Sequence, residues 1–299
     1  MHNKIEILPI SLLENEGDTV RELKKLANSL KLEFGWHYLL DITWILRQLK
    51  EIESKNIIDA GAGIGLMQWF LAENGAQVIS VDRESRADLP PRFRRRYQVR
   101  GLRADDLYAY SASVRGLKGI NRRKVRVQTA DYVNLIQYKI NQLSKNKEDG
   151  KLGQVIIYNQ DLENLVDISD DSIDAIVAVS SLEHNSPDGL ERVVDELMRV
   201  LKPGFALLAT LGAAKDRDWY HQPSKGWCYC EDTLRKIFHI GSEVSSNYDQ
   251  YDQLFNELQD CTELRDNLAS FYFNSGNNGM PWGKWAPEYQ PVGICKIKG

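Results

Sequence analysis

The sequence predicts an α/β protein built on a doubly wound, mostly parallel sheet. Short apolar runs alternate with amphipathic segments of helical length from residue 34 onward, the pattern of strand–helix–strand units. One run, Asp174–Val179, is almost wholly apolar, as a strand covered on both faces must be. A turn with three alternating glycines, Asp59-Ala60-Gly61-Ala62-Gly63-Ile64-Gly65, joins the first apolar run to the first helix of the core.

The elements follow in chain order. Leu12, Leu13, Val20, Leu23, Leu26 and Leu30 lie at helical spacing, and residues 34–49 continue it, so residues 1–50 are expected as helices packing on the core. Residues 51–299 then form one domain. A strand over Asn56–Asp59, a helix over Met67–Asn74 and a strand over Gln77–Asp82 make a βαβ unit. From residue 84 to 153 the alternation breaks, and this segment is expected as an insertion with helices near Ala104–Leu117 and Ala130–Leu143. Strands resume at Val155–Tyr158, Asp174–Val179 and Phe205–Thr210, with a helix over Gly189–Leu201 and another over Glu231–Phe238. A strand near residues 242–244, a helical insertion over 248–270 and a closing strand over Pro291–Ile297 complete the reading.

Composition excludes several classes. At 299 residues, with 42% hydrophobic and 27% charged residues and no apolar run near ~20 residues, the sequence shows no membrane span. The first residues, Met1 to Ile7, lack the apolar core of a signal peptide, and a cytoplasmic location is expected. Cys228, Cys230, Cys261 and Cys295 form no metal-ligand spacing and read as free thiols. A net charge of −4 disfavours nonspecific nucleic-acid binding.

The glycine turn carries the chemistry. Glycines at a strand-to-helix turn let the backbone bend tightly and approach a ligand, and in an open parallel sheet ligands sit beyond the carboxyl ends of the strands. The dinucleotide pattern G-x-G-x-x-G/A fails, because Leu66 stands where the third small residue belongs. The pattern is D-x-G-x-G-x-G, with an acid ahead of the glycines, which suits a ligand bearing an ammonium. Asp82, followed by Arg83, ends the second core strand, where a carboxylate can accept from two ribose hydroxyls. Asp161-Leu162 follows the third and offers an acceptor and an apolar face for adenine, or else a helix cap. Ser180, Ser181, Glu183 and His184 follow the fourth.

These motifs, in this order and with "DAIVAVSSLEH" and "RVLKPGFALLAT", resemble those of the class I S-adenosylmethionine-dependent methyltransferases of the small-molecule type, methyltransferase type 11-like. The resemblance covers residues 34–82 and 154–240 well, the closing strand loosely and the insertion not at all. It implies a Rossmann-like sheet of seven strands with the last antiparallel, and S-adenosyl-L-methionine as cofactor with S-adenosyl-L-homocysteine as product. Asp59, Ala60, Gly61, Gly63, Gly65, Asp82, Arg83, Asp161, Leu162 and Ser180 would hold the donor. Phe205 stands where the family often has a second glycine after "KPG". Trp36 or His37 would cover the donor or pack in the core.

For the reaction, His184 is the expected base, with a helix cap or a packed position as its alternative, and His221 is the second candidate. Glu183-His184 as a divalent-ion pair is the thinner reading. Trp219, Tyr220, Trp227, Tyr229, Trp282, Trp285 and Tyr289 line an acceptor pocket or form core beneath loops. The expected substrate is a small polar metabolite, most plausibly a sugar or other biosynthetic intermediate methylated on oxygen. Arg92, Arg94, Arg95, Arg96, Arg100 and Arg103, with Arg122, Arg123, Lys124 and Arg126, make an anionic acceptor, phosphorylated or nucleotide-linked, the expectation if the insertion acts as a lid. An RNA methyltransferase and a noncatalytic donor-binding protein are the alternatives. The failed dinucleotide spacing predicts that calorimetry will detect binding of S-adenosylmethionine and none of NAD; binding of NAD would overturn the reading of the turn.

Overall fold

The structure, a computed structural model, describes residues 2–109 and 152–299. Its centre is a sheet in the order β1-β10-β7-β6-β2-β3-β5-β4. The strands are β1 (Lys4–Ile7), β2 (Asn56–Ala60), β3 (Gln77–Asp82), β4 (Gln98–Gly101), β5 (Gln154–Asn159), β6 (Ile173–Val179), β7 (Leu201–Ala213) and β10 (Gln290–Ile297). Neighbours from β7 to β4 pair in parallel, while β10 runs antiparallel to both β7 and β1. This is the expected fold class, with the last strand of the chain antiparallel, but ten strands join the sheet among the described residues where the resemblance implied seven, because short edge strands pair onto both ends of the core. A hairpin of β8 (Trp219–His221) and β9 (Gly226–Tyr229) extends the sheet from the end of β7.

Both faces of the sheet are covered, which explains the apolar strands. On one face α2 (Gly17–Leu30), α3 (Tyr38–Gln48) and α4 (Met67–Glu73) bury Leu23, Trp44 and Trp69 against Ile57, Val78 and Val155. On the other, α6 (Pro187–Val200) and α7 (Glu231–Ile237) bury Leu190, Val193, Leu197 and Leu234 against Ile58, Ile176 and Ile294. The switch of faces between adjacent Ile57 and Ile58 is the period-two alternation of a strand. Ser186 caps α6, its hydroxyl accepting from the Gly189 N–H, with Pro187 opening the helix.

Four sequence expectations change. The strand near 242–244 is absent, and the strand beside β10 is β1, from a part of the chain read only as helical. Lys4-Ile5-Glu6-Ile7 alternates so that Ile5 and Ile7 are buried, and the Asn247 side chain accepts from the Ile7 N–H and donates to its carbonyl. Four residues of alternation are too short a run to stand out against the helix that follows. The segment read as an insertion contributes α5 (Pro91–Arg96) and the edge strand β4, which pairs with β5 from Gln98↔Gln154 to Gly101↔Ile157. The helix expected from Ala104 has no helical turn over residues 104–109; its remainder and the helix over Ala130–Leu143 lie outside the described residues. The fifth core strand starts four residues earlier than expected, because Lys202-Pro203-Gly204 lies within β7.

The N-terminal helices are held to the sheet by Trp44, whose indole N–H donates to Glu6 Oε1 at 2.5 Å. Its ring lies over Gly293 so closely that a Cβ there would come within 2.5 Å. Gly293→Ala is therefore expected to destabilise the protein by about 1–3 kcal/mol through overpacking, read as a lowered urea midpoint. An unchanged midpoint would show that α3 moves freely off β10.

Candidate functional site

The strand order reverses at β2: the chain leaves it toward β3 and β5 and returns to place β6 on its other side. A crevice at such a switch point opens beyond the strands' carboxyl ends. A cavity of about 410 Å³ lies there, lined from the tips of β2, β3, β5 and β6 and by α3, a volume within the range of small-molecule sites.

The glycine turn is its floor. The N–H groups of Gly61 and Ala62 both donate to the Val81 carbonyl, at 2.9 and 3.0 Å, so the turn folds back on β3. Gly61 has φ +71° and Gly63 φ +49°, a region that favours glycine. A Cβ on Gly61 would lie 2.4 Å from that of Ser181, whose hydroxyl donates to the Ala60 carbonyl at 2.7 Å. The turn after β6 thus presses on the turn after β2, and only a glycine fits between.

Two side chains overlooked in the sequence fix the turn from below. Gln68, the second residue of α4, donates its amide N–H to the Gly65 and Gly63 carbonyls, at 3.1 and 3.3 Å, and accepts from the Ser80 hydroxyl at 2.8 Å. Arg86 is buried beneath the site. Its guanidinium donates to the Ser80 carbonyl at 2.7 Å, to the Tyr158 carbonyl at 3.0 Å, to the Gly63 carbonyl at 3.4 Å and to the Ser80 hydroxyl. In the sequence it is one arginine among many, with nothing to separate it from those on the surface.

The acids stand at the strand ends and line the cavity. Asp59 is buried at the end of β2, and its Oδ2 has no hydrogen-bond partner. Burial pushes its carboxyl up to about 7, against the pull of Arg86 and a backbone N–H of Gln68. Asp82 accepts from the Gly63 N–H through one oxygen, at 2.7 Å, and from the Glu84 N–H through the other, at 2.8 Å. Asp161 accepts from the Glu163 N–H at 2.9 Å, so it caps a turn and lines the cavity at once. Gly61, Gly63, Gly65, Arg83, Leu162, Ser180 and His184 also line it, and so do Tyr38 and Ile42 from α3.

Other expected residues lie elsewhere. Ala60 is buried in β2 and is not part of the wall. His221 is buried in β8, with Nδ1 2.8 Å from the Ser224 hydroxyl and Nε2 3.3 Å from Glu288. It does not line the cavity, and burial pushes its pKa down. Trp36 and His37 take the packed alternative: Trp36 meets His37, Tyr289 and Trp285 edge-on at centroid distances of 4.4, 5.2 and 5.9 Å. Trp219 and Tyr289 pack edge-on against His221, while Trp282 is exposed. Hydrogen bonding orients His37 on Asp41, at 2.7 Å.

Of the arginine-rich segment, Arg94 donates to the carbonyls of Ala87 and Tyr108, Arg96 binds Glu73 and the Ser29 hydroxyl, and Arg103 binds Asp106 and the Asn159 carbonyl. These guanidiniums hold α5 and β4 to the core. Arg122, Arg123, Lys124 and Arg126 lie outside the described residues. Among the described residues no group of three His, Cys, Asp or Glu is placed to hold a metal ion, and no helix is long and apolar enough to cross a membrane.

An acid-lined cavity at the switch point, floored by glycines, matches what the sequence motifs imply, and residues 116–209 match the family model described as a methyltransferase domain. The chain carries a methyltransferase domain and is an S-adenosylmethionine-dependent enzyme. The match begins after the glycine turn and ends within β7, so it and the turn are separate observations. No curated protein matches the sequence. Solved structures similar to the methyltransferase include an S-adenosylmethionine-dependent methyltransferase from Aquifex aeolicus, with 17% identity over 74% of this chain and 86% of that one and a TM-score of 0.39. Another is the 1,6-didemethyltoxoflavin-N1-methyltransferase of Burkholderia thailandensis, with 12% identity over 96% and 86% and a TM-score of 0.42. The [4+2]-cyclase SpnF is similar over 100% of both chains at 16% identity, with a TM-score of 0.43. At such identities each neighbour's reaction remains its own.

The donor fits the chain's residues on two counts: the orphaned Asp59 oxygen is open to pairing with a cation, and four acids, Asp59, Asp82, Glu84 and Asp161, stand around the cavity with Arg83. A pH dependence follows for Asp59. Its carboxyl is raised on folding, so the stability it confers is present below its unfolded value near 4 and is lost as pH rises through about 7. An ammonium-bearing ligand binds the ionised form. Donor affinity is therefore expected to rise with pH up to about 7, by at most about tenfold per unit. In Asp59→Asn the slope should flatten and affinity at neutral pH fall about tenfold or more; calorimetry giving the same slope in the variant would remove Asp59 from the ammonium site.

Proposed function

We propose that the methyltransferase transfers its methyl group to an oxygen of a small polar metabolite, such as a sugar or other biosynthetic intermediate, with His184 receiving the proton. Bound S-adenosylmethionine supplies an activated methyl carbon, so the protein's tasks are alignment of the nucleophile and removal of its proton.

The observation that carries the reading is the hydrogen bonding of His184. Its Nδ1 lies 3.0 Å from the Lys225 carbonyl, and a carbonyl only accepts, so Nδ1 carries the hydrogen. In the neutral ring Nε2 is then the lone-pair nitrogen. The ring sits on the turn after β6, exposed and lining the cavity, where an acceptor from solvent can reach it. Lys225 lies in the connection between β8 and β9, so the hairpin orients the ring.

A small polar acceptor also agrees with the wall, where apolar Ile42, Ile64, Leu66 and Met67 alternate with the acids. The internal bonding of Arg94, Arg96 and Arg103 leaves the anionic acceptor without support from those residues, and the reading does not require it. The RNA-directed alternative draws no support from those three residues either.

The test is a panel of hydroxylated metabolites, neutral and phosphorylated, incubated with labelled S-adenosylmethionine. His184→Ala should lower turnover by about 10²-fold or more while donor affinity stays within about twofold. An equal loss in both would place His184 in donor binding, and methylation confined to RNA would overturn the substrate class.

A further inference from the structure

The turn after β6 holds a second buried acid, Glu183. It is 5% exposed. Its Oε1 accepts from the Ser180 hydroxyl, and its Oε2 has no hydrogen-bond partner. Ser180 is held at φ +45°, a conformation unusual for a residue with a side chain; its N–H is fixed by the Thr210 carbonyl at 3.1 Å. Ser180, Tyr38 and His184 all line the cavity. A chain of polar groups therefore runs from the cavity wall to a carboxyl lying one side chain deep. Ser181 of the same turn presses on Gly61, so the chain reaches the cavity beside the glycine turn, at the end opposite Asp161.

No fixed cation balances this acid. The groups facing Glu183 are His184 on its own turn, His37 just before α3 and Tyr38 at its start, Cys228 and Tyr229 on β9, and Tyr289 before β10. Four of the six are neutral acids that Glu183 itself makes harder to ionise. Gly226 closes the remaining side, where a Cβ would lie 3.0 Å from Glu183 Cγ. Burial holds the carboxyl above the usual carboxylate range. A buried carboxylate without a partner is costly, and a positive charge entering the adjoining cavity lowers that cost.

We propose that Glu183, through the Ser180 hydroxyl, is the counter-charge by which the site tells the sulfonium of its donor from the neutral thioether of its product. The inference rests on S-adenosylmethionine being the donor. When the sulfonium compound binds, the Glu183 O–H bond breaks and its proton passes to solvent; no other bond changes. When the thioether binds, the proton stays. Asp59 faces the ammonium that both compounds share, so its protons cancel in the comparison. The consequence is that methyl transfer itself weakens the hold on the ligand, which favours product release.

Calorimetry in buffers of different ionisation enthalpy tests this with S-adenosylmethionine and S-adenosylhomocysteine, from about pH 6 to 8, and needs no acceptor. The parent should release more protons with the first than with the second. The ratio of their affinities should climb with pH by up to about tenfold per unit. In Glu183→Gln both differences should vanish, and in Ser180→Ala, which keeps the acid and removes its link to the cavity, they should shrink. Equal proton release by the two compounds in the parent, or an excess that persists in Glu183→Gln, overturns the proposal while leaving the donor reading intact. Failure of both compounds to bind the parent overturns the donor reading and the proposal with it.

Discussion

The site depends on one buried guanidinium. Arg86 ties the carbonyls of Gly63, Ser80 and Tyr158 together, and so joins the glycine turn to the ends of β3 and β5. Those carbonyls face the interior, where an unpaired polar group costs about 1–3 kcal/mol. Glycine takes the left-handed region without strain, so what the turn needs is partners for its inward carbonyls, and Arg86 with Gln68 supplies them. The guanidinium stays charged in turn because Asp82, Asp59 and Asp106 surround it, opposing the effect of burial.

The same arrangement sets the electrostatics of the cavity. Arg86 points its hydrogens at backbone carbonyls, so it draws Asp59 down only in part and leaves one carboxyl oxygen unpaired. The acids at the mouth, Asp82 and Asp161, are instead satisfied by backbone N–H groups. Buried acids with one unpaired oxygen and more open acids held by backbone N–H groups form a gradient along the cavity. A ligand with positive charge at its deep end and hydroxyls or an amine at its shallow end completes it.

The remaining polar interior, His37 on Asp41 with Tyr289 and His221 nearby, lies behind α3 and outside the cavity. His37 is bonded to Asp41 and to the Tyr289 hydroxyl, and His221 packs edge-on against Tyr289, which fixes the start of α3 and, through it, Tyr38 at the cavity wall. The N-terminal helices thus help to form the site as well as cover the sheet.

The sequence by itself determined the doubly wound core, the glycine turn, and the acids at the ends of β2, β3 and β5, because each rests on local rules: period-two or helical apolar spacing, a glycine where φ is positive, and an acid at a strand end. It did not reveal β1 or β4. Their four residues each carry too little alternation, and they become strands only by pairing with β10 and β5, more than 50 residues away. Nor did it separate Arg86 from Arg94 or Arg96, since burial is decided by what packs above a side chain and leaves no mark on its neighbours in sequence. For the same reason His221 stood beside His184 as a second candidate until folding placed one on the cavity wall and the other beneath Tyr289. Which titratable groups face a ligand is a property of distant segments brought together, and only the tertiary structure decided it.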